Sequence, residues 1–145
     1  MVSLTRVLVP LDLGESSPRT LEYAKALARP FGASLVLMHV VPNPYQAAAS
    51  EVYLPPPQEF LDELEAQART SLSELLTDAD RTEFKAETVV TIGDPLSAIV
   101  DYARARPADL IVMGTHGRTG VVHLVLGSVA ERVVRTAPCP VLTIR

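Results

Sequence analysis

The chain has 145 residues, enough for one domain that buries a core without disulfide staples. Hydrophobic residues make up 48% and charged residues 21%, which excludes a disordered chain; with aromatics at 5% and no Trp, the core must be Val, Leu, Ile and Ala, the mix of a buried parallel sheet. A formal charge of −4, from 17 acidic against 13 basic residues with no dense Lys/Arg stripe, argues against binding along DNA or RNA, and a lone cysteine, Cys139, excludes an internal disulfide or a multi-cysteine metal site.

The opening MVSLTRVLVPLD is too short in its apolar run, and too soon acidic, for a signal peptide. No apolar stretch approaches the ~20 residues needed to cross a bilayer, so a soluble, cytoplasmic protein is expected. Arg6 to Leu11 is apolar and β-branched and predicts a first buried strand, with Pro10 ending its ladder pairing. Ser16-Ser17-Pro18 predicts a helix start with a hydroxyl cap; Leu21, Ala24, Leu27, Ala28 and Phe31 recur at helical spacing, and Gly32 stops the run. Ser34 to Val41 predicts a second buried strand.

Pro42 to Pro57 holds five of the twelve prolines and reads as a loop within the domain. From Gln58, the residues Phe60, Leu61, Leu64, Ala68, Leu72, Leu75 and Leu76 predict one apolar helix face. Phe84 to Ile92 predicts a third strand, near an edge because it alternates. Gly93-Asp94-Pro95 turns into a helix carrying Leu96, Ile99, Val100 and Ala103. Asp109 to Met113 predicts a fourth strand, Gly127 to Thr136 a helix with Val129, Val133 and Val134 inward, and Val141 to Ile144 a fifth strand. Strands alternating with helices give an α/β fold, an open parallel sheet with helices on both faces, in one domain over residues 1–145.

Chemistry concentrates after the fourth strand, where Gly114, Gly117, Gly127 and Ser128 form the spacing G-x2-G-x9-G-S. Glycines at a strand end let the backbone approach a ligand. The later Gly-Ser opens a helix whose first N–H groups lack intrahelical partners, a ready anion site to which His116 and Arg118 add donors. Asp12, at the end of the first strand, fits the same site if the first and fourth strands are neighbours; its carboxylate either accepts two ribose hydroxyls or caps the following helix.

These residues resemble the universal stress protein family from the first strand to the last. The matches are Val9-Pro10-Leu11-Asp12, Met38-His39-Val40-Val41, Asp109 to Gly117, Leu126-Gly127-Ser128-Val129-Ala130 and Cys139-Pro140-Val141-Leu142. The family divides into ATP-binding members and members lacking the glycine signature, which is complete here. The resemblance implies a five-stranded parallel sheet in order 3-2-1-4-5, Rossmann-like and adenine nucleotide alpha hydrolase-like. It implies ATP as ligand and a homodimer through the C-terminal strand, whose edge also invites pairing on physical grounds; whether magnesium rides on the phosphates is left open by the sequence.

It further implies adenine contacts from the Val40 main chain and a ribose held by Asp12 with the backbone near Pro10 and Gly114, Leu11 being counted with them as a cofactor-binding residue. Met113 would line the pocket, and His116, Gly117, Gly127, Ser128 and Val129 would cradle the phosphates, beside the Arg118 donor read from the sequence itself. The expected function is a nucleotide-dependent regulatory or stress-response module acting on a protein partner. The alternative is a weak ATPase or phosphotransferase at the same site, disfavoured because no G-x4-G-K-[ST] loop and no nucleophile with an obvious base is present. His39 reads as a core or pocket-wall residue, His123 as packing, and Cys139 as a small buried hydrophobe.

Overall fold

The computed structural model describes residues 1–43, 57–115 and 127–145. Five strands, β1 (Arg6–Pro10), β2 (Ser34–Val41), β3 (Glu87–Ile92), β4 (Leu110–Gly114) and β5 (Val141–Ile144), form one parallel sheet in order β3-β2-β1-β4-β5. Among the described residues, five α-helices accompany them: α1 (Ser17–Ala28), α2 (Gln58–Glu74), α3 (Asp78–Phe84), α4 (Pro95–Ala105) and α5 (Ser128–Thr136).

Strand alternation sorts the core onto two faces. Val7, Val9, Leu35 and Leu37 point to the face covered by Leu21, Ala24 and Ala28 of α1, Leu72 of α2 and Phe84 of α3. Leu8, Val36, Met38 and Ile111 point to the other, covered by Ile99 and Ala103 of α4 and Ala130 and Val133 of α5. The small inner side chains of α1, α4 and α5 let these helices lie close on the branched residues of the sheet.

The expected strand at Phe84 to Ile92 begins late. Thr77 and Asp80 form a reciprocal capping box, in which the Asp80 N–H donates to Thr77 Oγ1 at 3.0 Å and the Thr77 N–H to Asp80 Oδ2 at 3.0 Å. This nucleates α3, so Phe84 ends a helix and is buried there, and the strand starts at Glu87. Arg81 then donates to the carbonyls of Ser73 and Leu76, closing the C-terminal end of α2.

Other boundaries move for identifiable reasons. Gly32 does stop the first helical region, at φ 63°, but after a 3-10 turn at Arg29–Phe31 that leaves Phe31 exposed. The Ser16 hydroxyl makes no cap bond, because Ser16 is itself in the αR region; instead the Thr20 hydroxyl donates back to the Ser16 carbonyl. Phe60 and Val134, expected inward, are exposed, each one position off the buried stripe of its helix. Asp109 lies just before β4, while Gly114 lies within it.

Candidate functional site

β1 connects to β2 on one side and abuts β4 on the other, so the order reverses at β1. At such a reversal the segments that follow neighbouring strands diverge and leave a crevice beyond the strand ends. A cavity of about 430 Å³ lies there, lined by Pro10, Leu11 and Asp12 after β1, Val40 of β2, Met113 and Gly114 of β4, and Gly127, Ser128 and Val129 at the start of α5, among others. Nine sequence-predicted site residues therefore meet around one cavity, while His116, Gly117 and Arg118 lie outside the described residues.

Pro10 explains part of the opening. The pairing Leu8↔Ile111 would, if continued, have residue 10 donate its N–H to the Val112 carbonyl, and proline has none. The two strands separate at that point, and β4 runs on toward Gly114 paired with β5. The α4–α5 side of the cavity is apolar, with Val40, Pro42, Pro95, Ile99 and Met113. The α1 side is polar, with Asp12, Ser16, Ser17, Thr20 and His39. One half suits a flat apolar ring and the other suits hydroxyl-bearing groups.

The Asp12 carboxylate is held in place rather than loose. Its Oδ1 accepts the Gly14 N–H at 2.8 Å and the Ser17 hydroxyl at 3.3 Å, across a turn in which Leu13 takes φ 64°. It does not cap α1 by accepting the N–H groups of the first turn: the Ser17 N–H goes to the Gly14 carbonyl and the Thr20 N–H to Ser16.

At the other wall, the Gly127 N–H donates to the Thr115 carbonyl, and the Thr115 N–H donates to Ile144 of β5. These bonds bring the start of α5 beside the end of β4. Gly127 is the N-cap and contributes no side-chain bond, whereas α3 and α4 are capped by Thr77 and Asp94. Ser128 and Val129, at the first two positions of α5, line the cavity, and their N–H groups have no intrahelical acceptor and lie at the positive end of the helix dipole.

His39 was read as a core or pocket-wall residue, and it is both: 8% exposed, on the cavity wall, with Nδ1 2.7 Å from the Leu11 carbonyl. Because a carbonyl only accepts, Nδ1 carries the proton. Cys139 is half-buried and packs against the α4–α5 core; burial, then the nearby Asp109 charge, push its thiol up, away from reactivity at neutral pH. Among the described residues, no group of three or more His, Cys, Asp or Glu side chains could hold a metal ion, and no helix is long and apolar enough to cross a membrane.

The sequence profile of the universal stress protein family matches residues 3–145. The chain belongs to the universal stress protein family. Universal stress protein MJ0531 of Methanocaldococcus jannaschii is 33% identical over 97% of this chain and 81% of its own length, and a Thermus aquaticus universal stress protein is 34% identical over 96% and 97%. Among solved structures, universal stress protein UspA from Lactobacillus plantarum superposes with a TM-score of 0.82 at 28% identity, covering all of both chains. The Archaeoglobus fulgidus universal stress protein in complex with dAMP superposes at 0.64 with 26% identity, again over both whole chains. The parallel order 3-2-1-4-5 and the two helical layers are thus those of the family.

Proposed function

We propose that this universal stress protein binds ATP in the cavity at the β1–β4 divergence and acts as a nucleotide-dependent regulatory or stress-response module. The observation that carries this reading is the meeting, around one cavity, of an apolar slot beside Val40, a held carboxylate at Asp12 and the uncapped start of α5. Adenine lies in the slot, the ribose hydroxyls donate to Asp12, and the phosphates take the N–H groups of Ser128 and Val129 and the Ser128 hydroxyl. Pro10, Leu11, Met113 and Gly114 form the walls between these contacts. His116, Gly117 and Arg118 complete the phosphate end, and magnesium rides on the phosphates. The dAMP complex of the Archaeoglobus fulgidus relative supports the adenine nucleotide class.

The whole chain, 1–145, acts as one cytoplasmic nucleotide-binding domain, and two copies pair through β5. That strand is at the sheet edge, and its Leu142 side chain is 36% exposed. Removing residues 140–145 yields monomer or aggregate in sedimentation; a truncated protein that stays dimeric refutes the pairing. The bound state, read by a protein partner, is the output, with little turnover.

Calorimetric titration of nucleotide-stripped protein with ATP and magnesium, followed by phosphate release on the same sample, tests the central reading. Saturable binding near one site per chain with little phosphate released supports the module. No binding refutes it. Steady release that depends on Ser128 would make the protein an ATPase.

A further inference from the structure

The next pair beyond the β1–β2 ladder would be Leu11 with His39, and the next ladder bond would join Leu11 to Val40. The register runs to Pro10↔Met38, and the Leu11 N–H still donates to the Met38 carbonyl at 2.8 Å. In a parallel ladder the next bond is fixed by that geometry: the Leu11 carbonyl would accept the Val40 N–H. That bond is not made. The Leu11 carbonyl takes the Nδ1–H of His39 instead, at 2.7 Å, from the residue immediately before Val40.

Strand parity explains how one residue can do this. His39 alternates with Leu37 and Val41, which belong to the α1 face, while Val40 points its side chain to the α4–α5 face. The imidazole therefore approaches the carbonyl from the α1 side, out of the plane in which the Val40 N–H lies. A carbonyl can accept two donors, yet among the described residues the ring nitrogen bonds the Leu11 carbonyl and the Val40 N–H does not. The Val40 backbone has the parity of Met38, so its N–H and C=O face the β1 side, where β1 has ended and the cavity begins.

We propose that the His39 side chain intercepts the Leu11 carbonyl to keep the Val40 N–H out of the sheet, leaving a matched donor and acceptor pair for the Watson–Crick edge of adenine. Adenine offers N1 as acceptor and N6–H as donor, which complement an N–H and a C=O on one residue; guanine presents the opposite pattern and is rejected. His39 is a positioning residue that acts through Leu11 and Val40. The ladder interception stands on the geometry alone, whereas its use in base selection rests on the adenine nucleotide reading above.

Amide hydrogen exchange by NMR on the full chain, nucleotide-free and with ATP, tests this together with ATP titrations. In the parent the Val40 amide exchanges at least about tenfold faster than that of Met38, whose N–H lies inside the ladder, and ATP slows it. In His39→Phe the Leu11 carbonyl recaptures Val40, its amide becomes as slow as that of Met38, and ATP binds at least about tenfold more weakly. His39→Asn, whose side-chain amide can donate from the Nδ1 position, keeps the parent pattern.

A Val40 amide as slow as that of Met38 in the nucleotide-free parent overturns the proposal, and this needs no variant to fold. So does a Val40 amide that stays fast in His39→Phe. A parent that binds no adenine nucleotide sinks the proposed function and the base-selection half, while the exchange contrast still decides the interception.

Discussion

Asp109, one residue before β4, binds Thr5, one residue before β1, through a single carboxylate oxygen that accepts both the Thr5 N–H at 2.8 Å and the Thr5 hydroxyl at 2.7 Å. The Arg6 N–H joins them at 2.9 Å, and the Asp109 N–H returns a bond to the Arg6 carbonyl. The starts of the two central strands are thereby aligned at the end of the sheet opposite the cavity.

The Thr5 hydroxyl, followed by the Thr5 and Arg6 N–H groups, holds the Asp109 carboxyl below its ordinary value of 3.8. A folded-state value below the unfolded one adds stability at pH above the unfolded value and loses it as pH falls through the folded one. Asp109→Ala is therefore expected to destabilise by about 1–3 kcal/mol at neutral pH, since bonds to a charged acceptor are of that order, and by less below pH 3.8. Urea denaturation at both pH values measures the difference; an equal loss at both would show that the charge is irrelevant.

Lys25 of α1 reaches Asp80 of α3 at 2.9 Å and Glu22 at 3.1 Å, with the Lys25 and Asp80 side chains only 12% and 11% exposed. Burial works against both charges. Hydrogen bonds to Asp80 and then Glu22 nevertheless raise Lys25, and the Thr77 N–H followed by Lys25 lowers Asp80. The raised amine contributes below pH 10.5 and is lost as pH rises through its folded value; the lowered acid contributes above pH 3.8 and is lost as pH falls. Lys25→Met strands the carboxylate at the foot of α3 and should cost roughly 2–3 kcal/mol, less than a fully buried pair. Lys25→Met with Asp80→Asn should recover part of that loss. A double-mutant cycle with no coupling would show the pair to be idle.

Gly14 is the neighbour through which Asp12 can be moved without touching it. A Cβ at Gly14 would sit 3.1 Å from Asp12 Oδ1 and 3.4 Å from Oδ2, so the carboxylate must yield by a few tenths of an ångström. Gly14→Ala should leave thermal stability within about 1 kcal/mol, because the position does not need a left-handed backbone. It should weaken ATP several-fold, and Asp12→Ala should weaken it by one or more bonds of about 1.5–3 kcal/mol each. If calorimetry finds ATP affinity unchanged in both variants, the carboxylate does not hold the ribose.

Tyr102 buries its hydroxyl with no hydrogen-bond partner among the described residues, while the Arg106 guanidinium lies 6.0 Å from its ring centre. An unsatisfied buried hydroxyl has lost water and gained nothing. Tyr102→Phe is expected to be neutral or to stabilise by about 1 kcal/mol, read as a melting temperature unchanged or a few degrees higher. A clear fall would reveal a partner for the oxygen.

β1, β2 and β4 were legible because each is a short apolar run, largely buried on both faces, which leaves it little freedom, whereas the edge strands β3 and β5 are only partly buried and carry polar residues. Phe84 was misread because an aromatic beside Ala86 and Val89 carries strand character by composition, while the competing signal, Thr77 with Asp80 three residues on, is local and small. Val134 and Phe60 were placed inward because neighbouring apolar residues blur a helical stripe by one position, and only the tilt of the helix on the sheet decides between them. In the cavity, Asp12, Val40 and the Gly127-Ser128 pair could be located from strand ends and glycine spacing. His39 could be placed on the wall but not at the Leu11 carbonyl, since that contact depends on the register between two strands. Parity counting along Met38-His39-Val40, once β1 and β2 are paired, was the signal that could have found it.

The Gly127 to Thr115 bond ties the chain together by main-chain atoms on both sides of residues 116–126. The cost of holding two points of a chain together grows only slowly with the length between them, about 0.6 kcal/mol for each doubling. The sheet and the start of α5 therefore impose almost no tax on what is written between those two residues. Insertions or wholesale replacement there would change the vocabulary with which the cavity addresses a phosphate or a partner, while the scaffold that presents it keeps its shape.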